Sequence, residues 1–184
     1  MDEFNRYLSE AIRVRRIIQV YSEIFDCRES IDILSSKSIE FGAILKRSVH
    51  DEILISLARL FDTDAYESKK DRHEYLSQRN LILKYEDSLD EMLQNLRNKT
   101  SQLWNEVSVK KYRDFKLTHN DKVLLCGQRE TINHNVTFDS AKELVETSIN
   151  LVLGLMAKNG ITSVSSNLNY KYENVGSKFI ESIK

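Results

Sequence analysis

Residues 2–25 read DEFNRYLSEAIRVRRIIQVYSEIF. Phe4, Leu8, Ala11, Ile12, Ile18, Tyr21 and Phe25 recur there at three- and four-residue steps, which aligns them on one face of a helix. Arg6, Arg13, Arg15, Arg16 and Glu23 fall largely off that stripe. The cluster Arg13, Arg15 and Arg16 suits either a phosphate-binding patch or a solvated face, and such clusters are more often the latter. No proline or glycine interrupts the segment.

The same absence extends along the chain. Its 184 residues include no proline and 5 glycines, where average usage would give about nine and about thirteen. Proline breaks helix interiors and glycine weakens them. The composition therefore predicts long helices and argues against sandwiches, small barrels and Rossmann folds, which need turn residues at short intervals.

The remaining helices follow from the same periodicity. A second segment begins near Ser30 or Ser38 and ends at Asp62, with Ile39, Ile44, Leu45, Val49, Ile53, Leu54, Leu57, Ala58 and Phe61 as its stripe. Thr63 to Arg72 is charged and reads as a surface loop, and Arg72 to Lys84 as a short helix. A long helix is expected from about Ser88 to Phe115, with Leu89, Met92, Leu93, Leu96, Leu103, Trp104, Val107 and Tyr112 facing inward. Gly127 to Val136 reads as a loop. The last long helix runs from near Thr137 to Lys158. Ser140–Glu143 fits a capping box near its start, and Asn159–Gly160 fits its stop. Tyr172, Val175, Phe179 and Ile183 suit a short closing helix. The reading is all-α: one domain over 1–184, an antiparallel bundle of four to six helices with a peripheral tail over 161–184.

Composition also bounds function. A 41% hydrophobic fraction under 30% charged residues suffices for a core, so neither metal nor disulfide is needed for folding. Cys27 and Cys126 match no metal-ligand spacing and are expected to be reduced, partly buried thiols. The net charge of -1 provides no global attraction for polyanions, so any such site must be local. The longest apolar run, Leu151 to Ala157, is far short of the roughly 20 residues that span a bilayer. The first residues lack a basic, then apolar leader, so the cytoplasm is the expected location.

No phosphate-cradling glycine loop, nucleophile elbow, zinc motif or di-iron pair is present. Among the 4 histidines, His50 and His73 read as ordinary surface or boundary residues. His119 lies in KKYRDFKLTHNDK, residues 110–122. Lys110, Lys111, Arg113, Lys116 and Lys122 face only Asp114 and Asp121 there, a local net charge of +3. Cations that hold a phosphate, an imidazole that moves a proton and a guanidinium that stabilises phosphoryl charge suit phosphodiester chemistry. Arg129 and His134 repeat the spacing, but Glu130 follows the arginine and basic neighbours are lacking.

Arg113, Asp114 and His119 match the Arg-Asp-x-x-x-x-His signature, and the chain resembles the HEPN superfamily. The longer stretches YRDFKLTHNDK and ISLARLFDTD, residues 112–122 and 55–64, resemble its abortive-infection U-type branch. The resemblance implies an all-helical, metal-independent ribonuclease of toxin or anti-phage systems, with no cofactor. It implies RNA as substrate, a homodimer, and a cognate antitoxin or regulatory protein as partner. His119 would be general acid or base, and Arg113 would bind the scissile phosphate. Asp114 would orient one of them, with Lys110, Lys111, Lys116, Asn120 and Lys122 as substrate contacts.

Geometry adds a constraint. Residues six apart on a straight helix are about 9 Å apart along the axis and about 120° apart around it. Arg113 and His119 therefore meet at one phosphate only if the backbone bends or if two chains combine their motifs across a two-fold axis. A non-catalytic nucleotide-, RNA- or protein-binding module and a dimeric helical scaffold are the alternative functions.

Overall fold

The structure is a computed structural model and describes residues 3–62, 65–67, 72–114, 133–162 and 174–184. Among these residues it is all-helical apart from a small hairpin, in agreement with the composition. Four long helices carry the bundle: α1 (Glu3–Phe25), α3 (Ile39–Phe61), α5 (Glu91–Val107) and α7 (Phe138–Lys158). Shorter helices are α2 (Arg28–Lys37), α4 (Gln78–Lys84), α6 (Val109–Tyr112) and α8 (Val175–Ser182). Eight helices among the described residues exceed the expected four to six because Ser38 and Ser108 divide two segments that the periodicity joins.

Helix α1 lies at the centre, packed on α3, α7, α8 and α2, while α7 stands between α1 and α5. The stripe of α1 is buried as its spacing requires, with Leu8 and Ala11 fully enclosed; Tyr7 and Val14, outside the expected stripe, are fully enclosed too. Gly154 lets Leu93 of α5 pack directly on α7. A Cβ there would stand 2.4 Å from Leu93 Cδ2, so a side chain at 154 requires the flexible end of Leu93 to move away. A polar pin crosses this core. The Tyr7 hydroxyl and Ser148 Oγ are 2.7 Å apart, and Gln78 Nε2 donates to the same oxygen at 2.8 Å. Burial raises the Tyr7 pKa above its ordinary value, keeping the phenol neutral.

Several boundaries depart from the sequence reading. Ala65–Glu67 pairs antiparallel with Arg72–Glu74, so the expected loop holds a short strand, β1, and a second, β2, takes the place of the first turn of the expected Arg72–Lys84 helix. Helix α4 starts only at Gln78, where Ser77 Oγ accepts from Asn80 N–H at 3.2 Å. The capping box of α7 is formed by Thr137 and Ser140, rather than by Ser140 and Glu143. Gly160, at φ +64°, follows the end of this helix.

Some apolar positions assigned to the core face outward. Ile39 and Ile44 are 76% and 57% exposed because the first turns of α3 leave the core and meet α2. Met92, at the start of α5, is also exposed. On α8, Gly176 and Ile180 pack inward, leaving Val175 and Phe179 outside. Cys27 is exposed at the start of α2 rather than partly buried, and Cys126 lies outside the described residues. Among those residues, no helix is long and apolar enough to cross a membrane.

Candidate functional site

Helix α5 ends abruptly without glycine or proline. Ser108 adopts the left-handed conformation, φ 52° and ψ 33°. The freed end is held from afar: Asn135 N–H donates to Val107 O at 3.0 Å, and Asn135 Nδ2 to Glu106 O at 3.3 Å. Satisfying terminal carbonyls in this way stabilises a helix end. The chain then restarts as α6, packed on α3. Arg113 and Asp114 continue α6 as a wider helical turn. The expected single helix from Ser88 to Phe115 is therefore broken before the arginine.

This placement brings Arg113 to Asp62, the residue that ends α3. Arg113 Nη1 donates to Asp62 Oδ2, while Nε and Nη2 donate to Asp114 Oδ1 at 2.7 Å and 2.5 Å. Lys110 Nζ lies 3.9 Å from Asp62 Oδ1. The Arg113 and Asp62 side chains are only 21% and 15% exposed, so this is no solvated helix end. Burial lowers the Arg113 pKa, but the bonds donated to Asp114 and Asp62 outweigh it, and the guanidinium titrates above its ordinary value. It is charged at every pH at which the protein works.

In the sequence Asp62 marks the end of the α3 segment and a position in the stretch 55–64 that carries the family resemblance, with no sign of its partner. A carboxylate at a helix C-terminus opposes the helix dipole, and cations are preferred there. That conflict is the signal that could have identified it: the acid is held against the dipole by Arg113 and Lys110. The local charge also differs from the sequence window. Asp62 and Asp114 balance Arg113 and Lys110, leaving exposed Lys111 as the surplus cation within 110–114.

His119, Lys116, Asn120 and Lys122 lie outside the described residues, as does Arg129. His134 is described and packs edge-on against Tyr112, with ring centroids 4.7 Å apart. Its Nδ1 accepts from Val136 N–H at 3.2 Å, which leaves Nε2 to carry the proton of the neutral ring. His50 stands 5.0 Å from His134, between that ring and Tyr21. The alternative histidine thus belongs to an aromatic cluster beside α6. The α1 cluster resolves differently: Arg13 is paired with Glu10 and Glu52 at 2.7 Å and 3.0 Å, which ties α1 to α3. Among the described residues, no group of histidines, cysteines and carboxylates could hold a metal ion.

The family model HEPN_AbiU2, described as AbiU2, matches residues 2–179. The chain belongs to this HEPN family. The match covers every long helix and the Arg113–Asp62 pair, so the resemblance carried by residues 55–64 and 112–122 extends over the bundle. Neither a curated protein nor a solved structure matches the chain.

Proposed function

We propose that this HEPN chain is a metal-independent RNA endonuclease acting as a toxin or abortive-infection effector in the cytoplasm. The observation that carries the reading is the fixed, permanently charged guanidinium of Arg113 within the family signature. A rigidly oriented arginine presents a planar, charged donor to a phosphate, and preorganised charge is an effective way to stabilise a transition state.

In the proposed reaction, an RNA 2′-hydroxyl attacks the adjacent phosphorus. The 5′-oxygen leaves, yielding a 2′,3′-cyclic phosphate and a 5′-hydroxyl. His119 takes the proton from the attacking hydroxyl or gives one to the leaving oxygen, and water makes the other of these two transfers. Arg113 binds the scissile phosphate, oriented by Asp114 and, in addition to the sequence assignment, by Asp62. Lys110, Lys111, Lys116, Asn120 and Lys122 hold the flanking backbone. A homodimer that shares motifs across its two-fold axis supplies Arg113 and His119 to one phosphate.

A non-catalytic nucleotide-, RNA- or protein-binding module is the second reading. The charge balance favours it, because Asp62 and Asp114 already neutralise much of the cationic field around Arg113. Incubating total RNA with wild type, Arg113→Ala and His119→Ala separates the two. The ribonuclease reading expects fragments from wild type and at least a hundredfold slower cleavage by each variant, roughly the loss expected for a general acid–base or charge-stabilising group. Intact RNA in all three lanes would support the binding module.

A further inference from the structure

A cleft of about 490 Å³ opens beside Asp62, at the C-terminal end of α3. That volume falls within the roughly 300–1,000 Å³ of small-ligand sites. Its wall includes three cations from three helices, Arg79 on α4, Arg97 on α5 and Lys110 on α6, against one carboxylate, Asp62. In a chain of net charge -1, this concentration is local and specific.

Trp104 borders the same cleft. It lies seven residues after Arg97 on α5, hence on the same helical face about 10 Å further along. Phe61 supports the half-buried indole, with centroids 5.7 Å apart and planes inclined by 32°. The Arg97 contact with Glu86 is long, 3.4 Å, and the carboxylate is more than half exposed. Such surface pairs hold a side chain weakly, so a phosphate can replace the carboxylate.

Cations lining one cleft with a supported indole match the chemistry of single-stranded nucleic acid. The aromatic ring accepts the face of a base, and the cations follow the backbone. Lys110 and Asp62 join this cleft to Arg113. We propose that the cleft is a nucleotide subsite for single-stranded RNA, with one base against Trp104 and the flanking phosphates on Arg79, Arg97 and Lys110. For its choice of RNA, the proposal rests on the ribonuclease reading, and it sets the subsite beside Arg113, joined to it through Asp62.

Trp104 is the chain's single tryptophan, so its emission reports this cleft directly. The test titrates the full chain with an eight-nucleotide 2′-O-methyl oligoribonucleotide, which has no free 2′-hydroxyl and cannot be cut. Quenching of the emission is expected. In Arg79→Ala/Arg97→Ala, with far-UV circular dichroism confirming the fold, affinity should fall about tenfold or more. The slope of log affinity against log salt should fall by about 1.4, roughly 0.7 for each lost phosphate contact to a single strand. Trp104→Ala, followed by anisotropy of a labelled oligonucleotide, should weaken binding by about tenfold or more. Trp104→Phe keeps a ring on Phe61 and should retain most of the affinity.

No quenching, or an unchanged affinity and salt slope in the arginine variant, would overturn the proposal. So would equal displacement of the oligonucleotide by an oligoglutamate peptide, which would mark an acidic-peptide site. Quenching by a wild type that cuts no RNA would support the subsite while refuting the ribonuclease. Cleavage without quenching would do the reverse.

Discussion

Asp62 holds the candidate site together at the scale of single residues. It accepts a bond from Arg113 across the gap between α3 and α6, with both side chains largely withdrawn from water. Hydrogen bonds to charged groups contribute about 1.5–3 kcal/mol when poorly solvated. Asp62→Asn keeps the shape, removes the charge, and leaves Arg113 bonded to Asp114. It should therefore lower unfolding free energy by about 1–2 kcal/mol in urea titration. It should also slow RNA cleavage by about 10–100-fold, mainly in kcat, because a misoriented phosphate anchor costs rate more than binding. Unchanged stability and rate together would show that Asp62 holds nothing. The sequence made Arg113 and Asp114 visible through the family signature and local basicity. It hid Asp62, 51 residues away, because only the packing of α6 on α3 makes them partners. Trp104, Arg79 and Arg97 were similarly hidden, since no short spacing in the chain joins α4, α5 and α6.

At the scale of elements, the break at Ser108 decides where Arg113 points. Periodicity carries Leu93, Val107 and Tyr112 along one continuous stripe, so the sequence shows one helix. Asn135 ends it from a distant segment by taking the carbonyls of Glu106 and Val107. A non-glycine residue in the left-handed region costs about 1 kcal/mol. Ser108→Gly should thus raise unfolding free energy by about 0.5–1 kcal/mol, after allowance for greater unfolded-state freedom. A loss of 1 kcal/mol or more in chemical denaturation would contradict this account of the break. Elsewhere the helices were legible because their stripes are buried by neighbours throughout, as in α1 and α7. The first turns of α3 were misread because amphipathic spacing cannot reveal where a helix runs past the core.

At the scale of the whole molecule, the proposed reaction requires Arg113 and His119 to reach one phosphate. The absence of proline predicts unbroken helices and favours a site shared by two chains. Ser108 shows that this chain breaks a helix without proline, but it does so before Arg113. The exposed Ile39, Phe41 and Ile44 lie about 27–35 Å along α3 from Asp62, so a dimer through that face would not join two copies of Arg113. The shared-site proposal expects association near α6. Arg113→Ala and His119→Ala chains, unfolded together and refolded at equal amounts, should then recover about a quarter of wild-type cleavage, since half the dimers are mixed and each mixed dimer has one intact site. Activity no greater than that of the separate variants would place both residues in one chain. The central claim, that this HEPN chain cuts RNA through Arg113 by 2′-hydroxyl attack, is tested most directly by the ends of the products. Fragments made in the presence of a chelator should carry 5′-hydroxyls, accept phosphate from polynucleotide kinase without prior phosphatase treatment, and end in 2′,3′-cyclic phosphates. They should disappear with Arg113→Ala. Intact RNA, 5′-phosphorylated fragments, or equal cleavage by Arg113→Ala would contradict the claim.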